Sequence, residues 1–338
     1  MIVEMRKGAE KAEVDQVVAK ARGLGFDVQI NYGTEKSVVA ILGSDTGSVP
    51  TDFFALLPGV ESVQRIMKPY KLASREFKPD TTVATVAGIQ IGGPQIVIMA
   101  GPCAVESEEQ VFETARAVMK AGARILRGGA YKPRTSPFSF QGLQEEGLKI
   151  LSRVREALGI PIITEVMDTH EVELVARHAD ILQIGARNMQ NFSLLREVGK
   201  TTRAVVLKRG FSCTVNEWLT AADYVLAEGN ENVILCERGI RTFEDSTRFS
   251  LDVSSLPVVQ KFSHLPIIVD PSHPAGRFDY VPALAKAGMA AGADGLLIEV
   301  HPNPAQALVD GLQSLTFGNF EKLMAELSPL AQALGRFI

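Results

Sequence analysis

The pattern of apolar and polar positions changes near residue 95, and each side of that point predicts a different domain. Before it, short apolar segments and an amphipathic helix with a stripe at Val14, Val17, Val18 and Ala21 follow one another in the order strand, helix, strand, strand, helix, strand. The predicted segments are Ile2–Met5, Glu10–Leu24, Val28–Tyr32, Val38–Leu42, Asp52–Leu57 and Val60–Ile66. This βαββαβ order is typical of a ferredoxin-like domain.

A polar, proline-containing stretch (68–80) follows this domain, and residues 82–91 have the pattern of a hairpin that ends at Gly92-Gly93-Pro94. We therefore expect a small ferredoxin-like (ACT-like) domain over residues 1–70. We expect a linker and hairpin over 71–94 and a second domain over 95–338.

From Gln95 onward, apolar segments of strand length alternate with amphipathic helical segments. The predicted strands are Ile96–Ala100, Arg124–Arg127, Pro161–Thr164, Ile181–Ile184, Ala204–Leu207, Val233–Leu235, Pro266–Val269 and Gly295–Ile298. Nearly all are continuous apolar runs, as in parallel strands covered on both faces. Eight βα units in about 240 residues match a closed (β/α)8 TIM barrel. An open doubly wound sheet is the alternative, but it would leave the first and last strands far apart, so the predicted fold is α/β with a barrel.

Composition excludes several classes of protein. The chain has 338 residues, 46% hydrophobic and 22% charged, with a formal net charge of -4. These values are ordinary for a globular protein and give no basic field for nucleic acid. The apolar runs are strand-sized, which argues against a membrane span. Three widely spaced cysteines do not make a disulfide framework, so we expect a soluble cytoplasmic protein.

Ionisable residues stand where the barrel strands end, which is the end that carries the active site in this fold. Cys103, His273 and Glu299 follow or end strands 1, 7 and 8, which become neighbours when the barrel closes, and Asp310 in the next loop can reach them. A thiolate, an imidazole and two carboxylates suit a divalent metal such as Mn, Fe, Co or Zn. A buried thiol is the alternative for Cys103 alone, and His301 is a weaker rival to His273.

The other strand ends carry cations, which predict an anionic ligand. They are Arg127, Lys132, Arg134, Arg187, Lys208 and Arg238. A single such residue is usually a solvated surface charge, but six at one face of an acidic protein need an anion to offset their repulsion. Two prolines stiffen the loop 132–137 around its cations and hydroxyls. Cations beside a metal indicate a phosphorylated substrate with a carbonyl group to polarise.

At these positions the chain resembles the 3-deoxy-D-arabino-heptulosonate 7-phosphate (DAHP) synthase family. The matching segments are Ala100–Cys103, Leu126–Pro137, Ile184–Arg187, Leu207–Gly210, Cys236–Gly239 and Val269–His273. The N-terminal segment resembles the ferredoxin-like domain of the subgroup related to the octulosonate synthases. This resemblance implies a condensation of phosphoenolpyruvate with erythrose 4-phosphate, the first step of the shikimate pathway to aromatic amino acids.

The resemblance also implies a role for each residue. The metal ligands would be Cys103, His273, Glu299 and Asp310. The phosphoenolpyruvate-binding residues would be Arg127, Lys132, Arg187, Lys208 and Arg238, and the segment that receives erythrose 4-phosphate would contain Lys132, Arg134, Thr135 and Ser136. Lys132 and His273 are the expected catalytic residues, with Lys132 as a hypothetical proton donor to the aldehyde oxygen.

Several alternatives stay open from the sequence. A 3-deoxy-octulosonate 8-phosphate synthase shares the barrel and the chemistry, and Lys208 could instead form a Schiff base. A small-molecule sensor with a vestigial barrel is a further alternative. The family implies that the N-terminal domain binds phenylalanine or tyrosine as a feedback inhibitor and that the protein is a homotetramer; a purely stabilising domain is the other interpretation.

Overall fold

The computed structural model describes residues 1–33, 36–43, 46–65, 68–134 and 136–338. The chain divides into two compact units. The first contains Met1–Thr81 together with Lys261–His264, and the second contains Thr82–Gln260 and Leu265–Ile338. Within the described ranges, no helix has both the length and the apolar character needed to cross a membrane.

The first unit has the predicted ferredoxin-like fold. Its strands are β1 (Ile2–Met5), β2 (Asp27–Tyr32), β3 (Ser37–Leu42) and β4 (Val60–Gln64), and its helices are α1 (Lys11–Gly23) and α2 (Asp52–Ala55). The strands form an antiparallel sheet in the order β2-β3-β1-β4. Ile66, the predicted end of the last strand, lies outside the described residues.

An apolar face and a capped end explain the first helix. Val14, Val17 and Ala21 are spaced three to four residues apart, so they share one face of α1, and all three are buried. They belong to one core with the inward side chains of β1 and β3. At the start of the helix, the Glu13 carboxylate accepts a hydrogen bond of 2.9 Å from the Glu10 backbone N–H.

The second unit is a closed barrel of eight parallel strands, as predicted. The strands are β7 (Val97–Gly101), β8 (Ile125–Arg127), β9 (Ile162–Glu165), β10 (Ile181–Ile184), β11 (Ala204–Lys208), β12 (Val233–Glu237), β13 (Ile267–Val269) and β14 (Gly295–Glu299). Pairing of β14 with β7 closes the ring. The surrounding helices are α3 (Glu108–Lys120), α4 (Gln144–Leu158), α5 (Val172–His178), α6 (Phe192–Gly199), α7 (Val215–Ala227), α8 (Ser255–Phe262), α9 (Ser272–Ala275), α10 (Val281–Ala290) and α11 (Phe317–Ala333).

A hairpin fills the N-terminal end of the barrel. Strands β5 (Ala84–Val86) and β6 (Ile89–Ile91) pair antiparallel. Their buried side chains share one apolar cluster with Val97, Ile125 and Ile181, the first residues of three barrel strands. The opposite end, where β8, β9, β11, β12 and β14 all finish in a charged residue, is therefore the end at which a polar site is built.

Candidate active site

Four side chains from distant parts of the chain meet at the C-terminal end of the barrel. They are Cys103 after β7, His273 in α9, Glu299 at the end of β14 and Asp310 in the loop before α11. Their ligand-type atoms all lie within 4.8 Å of one another. Cys103 Sγ is 3.5 Å from Asp310 Oδ2. His273 Nε2 is 3.5 Å from Glu299 Oε1 and 3.9 Å from Asp310 Oδ2.

A hydrogen bond fixes the orientation of the His273 ring. Its Nδ1 lies 2.6 Å from Asp270 Oδ2, and an ionised carboxylate only accepts, so Nδ1 carries the proton and Nε2 offers its lone pair to the cluster. Burial lowers the pKa of His273 despite the opposing effect of Asp270 and Glu299, which favours the neutral ring. A neutral imidazole whose second nitrogen is bonded to a carboxylate is the usual metal-binding form.

The Cys103 thiol is buried beside a lysine. Lys132 Nζ is 3.1 Å from Cys103 Sγ and 3.0 Å from the Cys103 carbonyl oxygen. Burial, followed by the nearby Glu299 carboxylate, raises the pKa of this thiol to about 12. A cation that binds here therefore displaces a proton, as metal ions do when they bind cysteine.

Hydrogen-bond donors hold the Glu299 carboxylate on both oxygens. Arg127 Nη1 donates to Oε1 at 2.6 Å, and Gln313 Nε2 donates to Oε2 at 2.6 Å. Burial would raise the pKa of Glu299, but that pKa lies well below its ordinary value, and the Arg127 guanidinium bonded to Oε1 is a fixed positive charge that lowers it. The carboxylate is therefore ionised and aimed at the cluster.

The donor set fits a divalent transition-metal ion. One sulfur, one imidazole nitrogen and carboxylate oxygens form a mixture that Mn, Fe, Co and Zn all accept. The four residues are buried or half-buried, so a cation among them would offset the cost of removing their carboxylates from water. One hydrogen-bond donor of the site is unused, because the buried Arg127 Nε has no partner among the described residues.

A cavity of about 280 Å³ opens beside this cluster. The charged residues that line it are Lys132, Arg134, Arg187, Lys208, Arg238 and Arg248, against Glu165 and Asp310. Cations thus outnumber carboxylates on its wall, which favours an anionic ligand. Ser136 also lines the cavity. Arg127 is buried and bonded to Glu299 and is not on the cavity wall, and the predicted Thr135 lies outside the described residues.

An aromatic pair supports the arginines of the cavity. The rings of Phe211 and Phe249 stack with centroids 5.1 Å apart. The Arg238 guanidinium lies 4.8 Å from the first centroid and 4.2 Å from the second, and Arg187 lies 5.3 Å from the first. Burial lowers the pKa of Arg238. Within the described chain neither arginine has a carboxylate at ion-pair distance, so their charges are available to a ligand.

Glu165 lines the cavity, although the sequence analysis assigns it no role. Its Oε2 accepts a hydrogen bond of 3.0 Å from Gln183 Nε2. A Cβ added to Gly185 would lie 2.1 Å from Glu165 Oε1, so only glycine allows this carboxylate to pack against the backbone after β10. Its position at the end of β9 is the sequence feature from which a role in the site could have been predicted.

The rival residues have other partners. His301 contacts Glu106 at 3.3 Å and is not part of the four-residue cluster. Lys208 Nζ forms a buried ion pair of 2.6 Å with Asp270 Oδ2. Because Asp270 already holds this Nζ, the geometry opposes a Schiff base at Lys208.

Comparisons with known proteins agree with this geometry. A model described as "DAHP synthetase I family" matches residues 76–334, and one described as "DAHP synthase ferredoxin-like domain" matches residues 1–68. The phospho-2-dehydro-3-deoxyheptonate aldolase of Thermotoga maritima is 48% identical over 335 residues, which cover 99% of both chains. Its crystal structure superposes with a TM-score of 0.79, covering 99% of this chain and 98% of that chain.

Two further relatives are informative. A truncated form of the 3-deoxy-D-arabino-heptulosonate 7-phosphate synthase of Thermotoga maritima is 46% identical, with a TM-score of 0.74, and covers 80% of this chain and 99% of that chain. The 2-dehydro-3-deoxyphosphooctonate aldolase of Geobacter sulfurreducens is 32% identical over 269 residues, 74% of this chain and 98% of that protein. The chain described here therefore belongs to the DAHP synthetase I family and carries out its aldol-like condensation, the synthesis of 3-deoxy-7-phosphoheptulonate.

Proposed function

We propose that the chain condenses phosphoenolpyruvate with erythrose 4-phosphate in the cavity, beside a divalent metal ion held by Cys103, His273, Glu299 and Asp310. The juxtaposition of this ligand cluster with a cation-lined cavity is the single observation that carries the proposal. Because both substrates are anions, the cations provide the binding energy and the approach geometry.

The phosphoenolpyruvate site that we propose uses cations at, or a few residues after, the C-terminal ends of the barrel strands. These are Arg127, Lys132, Arg187, Lys208 and Arg238. Arg187 and Arg238 have no carboxylate partner among the described residues and are held by aromatic rings, which suits them to a phosphate group. Lys132 and Lys208 are already fixed by Cys103 and Asp270, so they lose little freedom when a substrate binds.

The acceptor aldose phosphate would bind toward the loop after β8. Arg134 and Ser136 line the same cavity as Lys132, and Thr135 stands between them in the sequence. Pro133 and Pro137 restrict the backbone of this loop. A guanidinium and hydroxyl groups on a stiff loop are suited to a phosphate at the far end of the acceptor.

In the proposed reaction, C3 of phosphoenolpyruvate forms a bond with the aldehyde carbon, water adds at C2, and phosphate leaves as the C–O bond breaks. The ion, when bound, supplies Lewis acidity for the aldehyde oxygen. The Lys132 ammonium is placed to give that oxygen a proton. Glu165 and Asp310 are the two carboxylates among the described residues of the cavity wall. Since Asp310 is a proposed metal ligand, Glu165 is the group best placed to orient the water and accept its proton.

An assay of phosphate release tests this function. Purified protein is incubated with phosphoenolpyruvate and erythrose 4-phosphate, before and after removal of metal by a chelator. We expect release that requires both substrates, is lost with chelator and returns when a divalent ion is added. Arabinose 5-phosphate serves as the rival acceptor, because relatives named for the octulosonate product share 32% identity. Faster release with that acceptor would favour the alternative, and full activity after chelation would contradict the metal site.

Regulation, assembly and location belong to the same proposal. We propose that the ferredoxin-like domain binds phenylalanine or tyrosine and inhibits condensation. The match of residues 1–68 to a model described as "DAHP synthase ferredoxin-like domain" supports a role shared with that family. We further propose a homotetramer in the cytoplasm. Sedimentation of the purified protein tests the assembly.

A further inference from the structure

The two carboxylates of the four-residue cluster, Glu299 and Asp310, share a pair of polar partners. Arg248 Nη1 donates to Asp310 Oδ1 at 3.1 Å and to Gln313 Oε1 at 2.9 Å. Gln313 Nε2 in turn donates to Glu299 Oε2 at 2.6 Å. One guanidinium therefore reaches Asp310 directly and Glu299 through one amide.

The loop that carries Arg248 is fixed to the segment that carries His273. The Phe249 backbone N–H donates to the Pro274 carbonyl oxygen at 3.1 Å. A Cβ on Gly276 would lie 2.8 Å from Arg248 Cβ, and Gly276 has φ of +67°, so both space and backbone conformation require glycine there. Arg248 is thus held by backbone contacts although its side chain is 40% exposed.

Asp310 depends on such support. Its φ is +54°, a left-handed conformation that costs energy for a residue with a side chain and persists only where neighbouring contacts impose it. Its Oδ2 faces Cys103 and His273, while its Oδ1 faces Arg248. Gln313 is fully buried, and its amide orientation follows from having to accept from the arginine and donate to Glu299.

We propose that Arg248 and Gln313 form a clamp that positions Glu299 and Asp310 for the metal ion. This inference rests on the metal site proposed above. The charge of Arg248 and its hydrogen bonds predict opposite effects on metal affinity, so an experiment can distinguish them. Removing a positive charge near a cation site strengthens cation binding if electrostatic repulsion dominates. Removing the hydrogen bonds that orient the ligands weakens it.

The test measures metal affinity directly, by competition with a chromophoric chelator, in the full-length protein. We expect Arg248→Met and Gln313→Met each to raise the Kd for Co(II) by about 10- to 100-fold, the effect typical of lost outer-sphere partners. Arg248→Lys keeps the charge but only one contact, so its Kd for Co(II) should lie between those of the parent protein and Arg248→Met. The visible spectrum of the Co(II)-loaded variants should also shift, since it reports ligand geometry.

Arg241→Met is the matched control, because this exposed arginine lies in the same loop and contacts the Phe211 ring rather than the cluster. It should bind Co(II) like the parent protein. Tighter binding by Arg248→Met, or unchanged binding by Gln313→Met, would overturn the clamp while leaving the metal site intact. Failure of the parent protein to bind any divalent ion would instead overturn the proposed metal site. Circular dichroism checks that each variant is folded. If Arg248→Met does not fold, the Kd values of Gln313→Met and Arg248→Lys for Co(II) test the clamp.

Discussion

At the scale of single residues, each proposed metal ligand is in contact with a cation, directly or through one carboxylate. The pairs are Cys103 with Lys132, Glu299 with Arg127, His273 with Lys208 through Asp270, and Asp310 with Arg248. Three of these cations, Lys132, Arg127 and Lys208, are also among the proposed phosphoenolpyruvate ligands. Lys132 and Lys208 line the cavity as well as contacting the cluster side, so a substitution in one part of the site should change the other.

Asp270 is the clearest case, since its Oδ2 accepts from His273 Nδ1 and from Lys208 Nζ, each at 2.6 Å. Burial alone would raise the pKa of Asp270, but contact with His273 and Lys208 holds it well below its ordinary value. We expect Asp270→Asn to lower kcat/KM for phosphoenolpyruvate by about 10- to 100-fold. It should also lower the free energy of unfolding by about 3 kcal/mol, because a buried ammonium loses its counter-ion. Steady-state kinetics and urea unfolding measure the two effects.

Asp294→Asn is the matched control for this prediction. Asp294 is also largely buried and accepts from the Ile267 N–H at 3.0 Å and from Arg336 at 3.1 Å. It stands just before β14, at the opposite end of the barrel. The variant should lose stability but keep its kcat/KM. An equal loss of kcat/KM in both variants would show that Asp270 acts only through general stability.

Lys132 is the residue for which a role in the chemistry itself is predicted. Its ammonium lies 3.1 Å from Cys103 Sγ and lines the cavity. If it gives a proton to the aldehyde oxygen, Lys132→Ala should lower kcat by about 100-fold or more at saturating substrate and metal. Near-normal turnover under saturation, with only KM raised, would restrict the lysine to binding.

The sequence could place the cluster residues because strand ends of a barrel converge whatever the distance along the chain. Cys103 and His273 are brought together although 170 residues separate them. Arg248 and Gln313 could not be found in this way. Arg248 lies in a loop and Gln313 in a single 3-10 turn, neither with a motif, and their importance arises from two hydrogen bonds between side chains 65 and 14 residues apart in sequence. No pattern of residue types encodes that geometry.

At the scale of secondary structure elements, the hairpin β5–β6 has a structural task at the end of the barrel away from the site. Ile91 is fully buried in the cluster that includes the starts of the barrel strands. We expect Ile91→Ala to lower the free energy of unfolding by about 2–5 kcal/mol, and Ile91→Val by about 1 kcal/mol. Urea unfolding measures this. Since the catalytic end is formed by other residues, kcat/KM should not change, and a large change would contradict the separation of the two ends.

A buried histidine in the first unit gives a prediction about pH. His264 Nε2 is 2.7 Å from the Leu72 carbonyl oxygen, which only accepts, so the neutral ring donates there. Burial lowers the pKa of His264 from 6.5 to about 4. The unfolded chain therefore binds the extra proton first, and the stabilising contribution is present above pH 6.5 and lost as pH falls toward 4. The loss should amount to about 3 kcal/mol.

His264→Gln isolates this contribution, because its amide can still donate to Leu72 but does not titrate. Urea unfolding of both proteins at pH 7 and pH 4.5 makes the comparison. The parent protein should lose more stability than the variant between these values. Equal losses would mean that other groups cause the acid sensitivity.

The element boundaries show what the apolar pattern can and cannot predict. The apolar pattern predicts a helix over Asp52–Leu57, but α2 ends at Ala55. Leu57 precedes Pro58, and the residue before a proline is disfavoured in helical conformation. At β11 and β14 the strands continue into Lys208 and Glu299, one residue beyond the predicted ends. Apolar periodicity stops at the first charged residue, whereas strand pairing continues where a partner satisfies that charge.

At the scale of the whole molecule, an acidic chain holds a cationic cavity. The formal net charge is -4, so attraction of anionic substrates must come from the cavity wall and not from the overall field. The ferredoxin-like unit contributes none of the residues that line this cavity among the described part of the chain. The catalytic and the proposed regulatory functions should therefore be separable.

Removal of residues 1–81 tests this separation, because the division of the chain falls between Thr81 and Thr82. The truncated relative from Thermotoga maritima, which covers 80% of this chain, indicates that a shortened chain of this family folds. We expect the truncated protein to retain condensation but to respond no longer to phenylalanine or tyrosine, while the full chain is inhibited by one of them. His264 would lose its Leu72 partner in the truncation, so both proteins are assayed well below their melting temperatures. Inhibition that survives truncation would place the effector site in the barrel, and a full chain insensitive to both amino acids would leave the small domain a structural role.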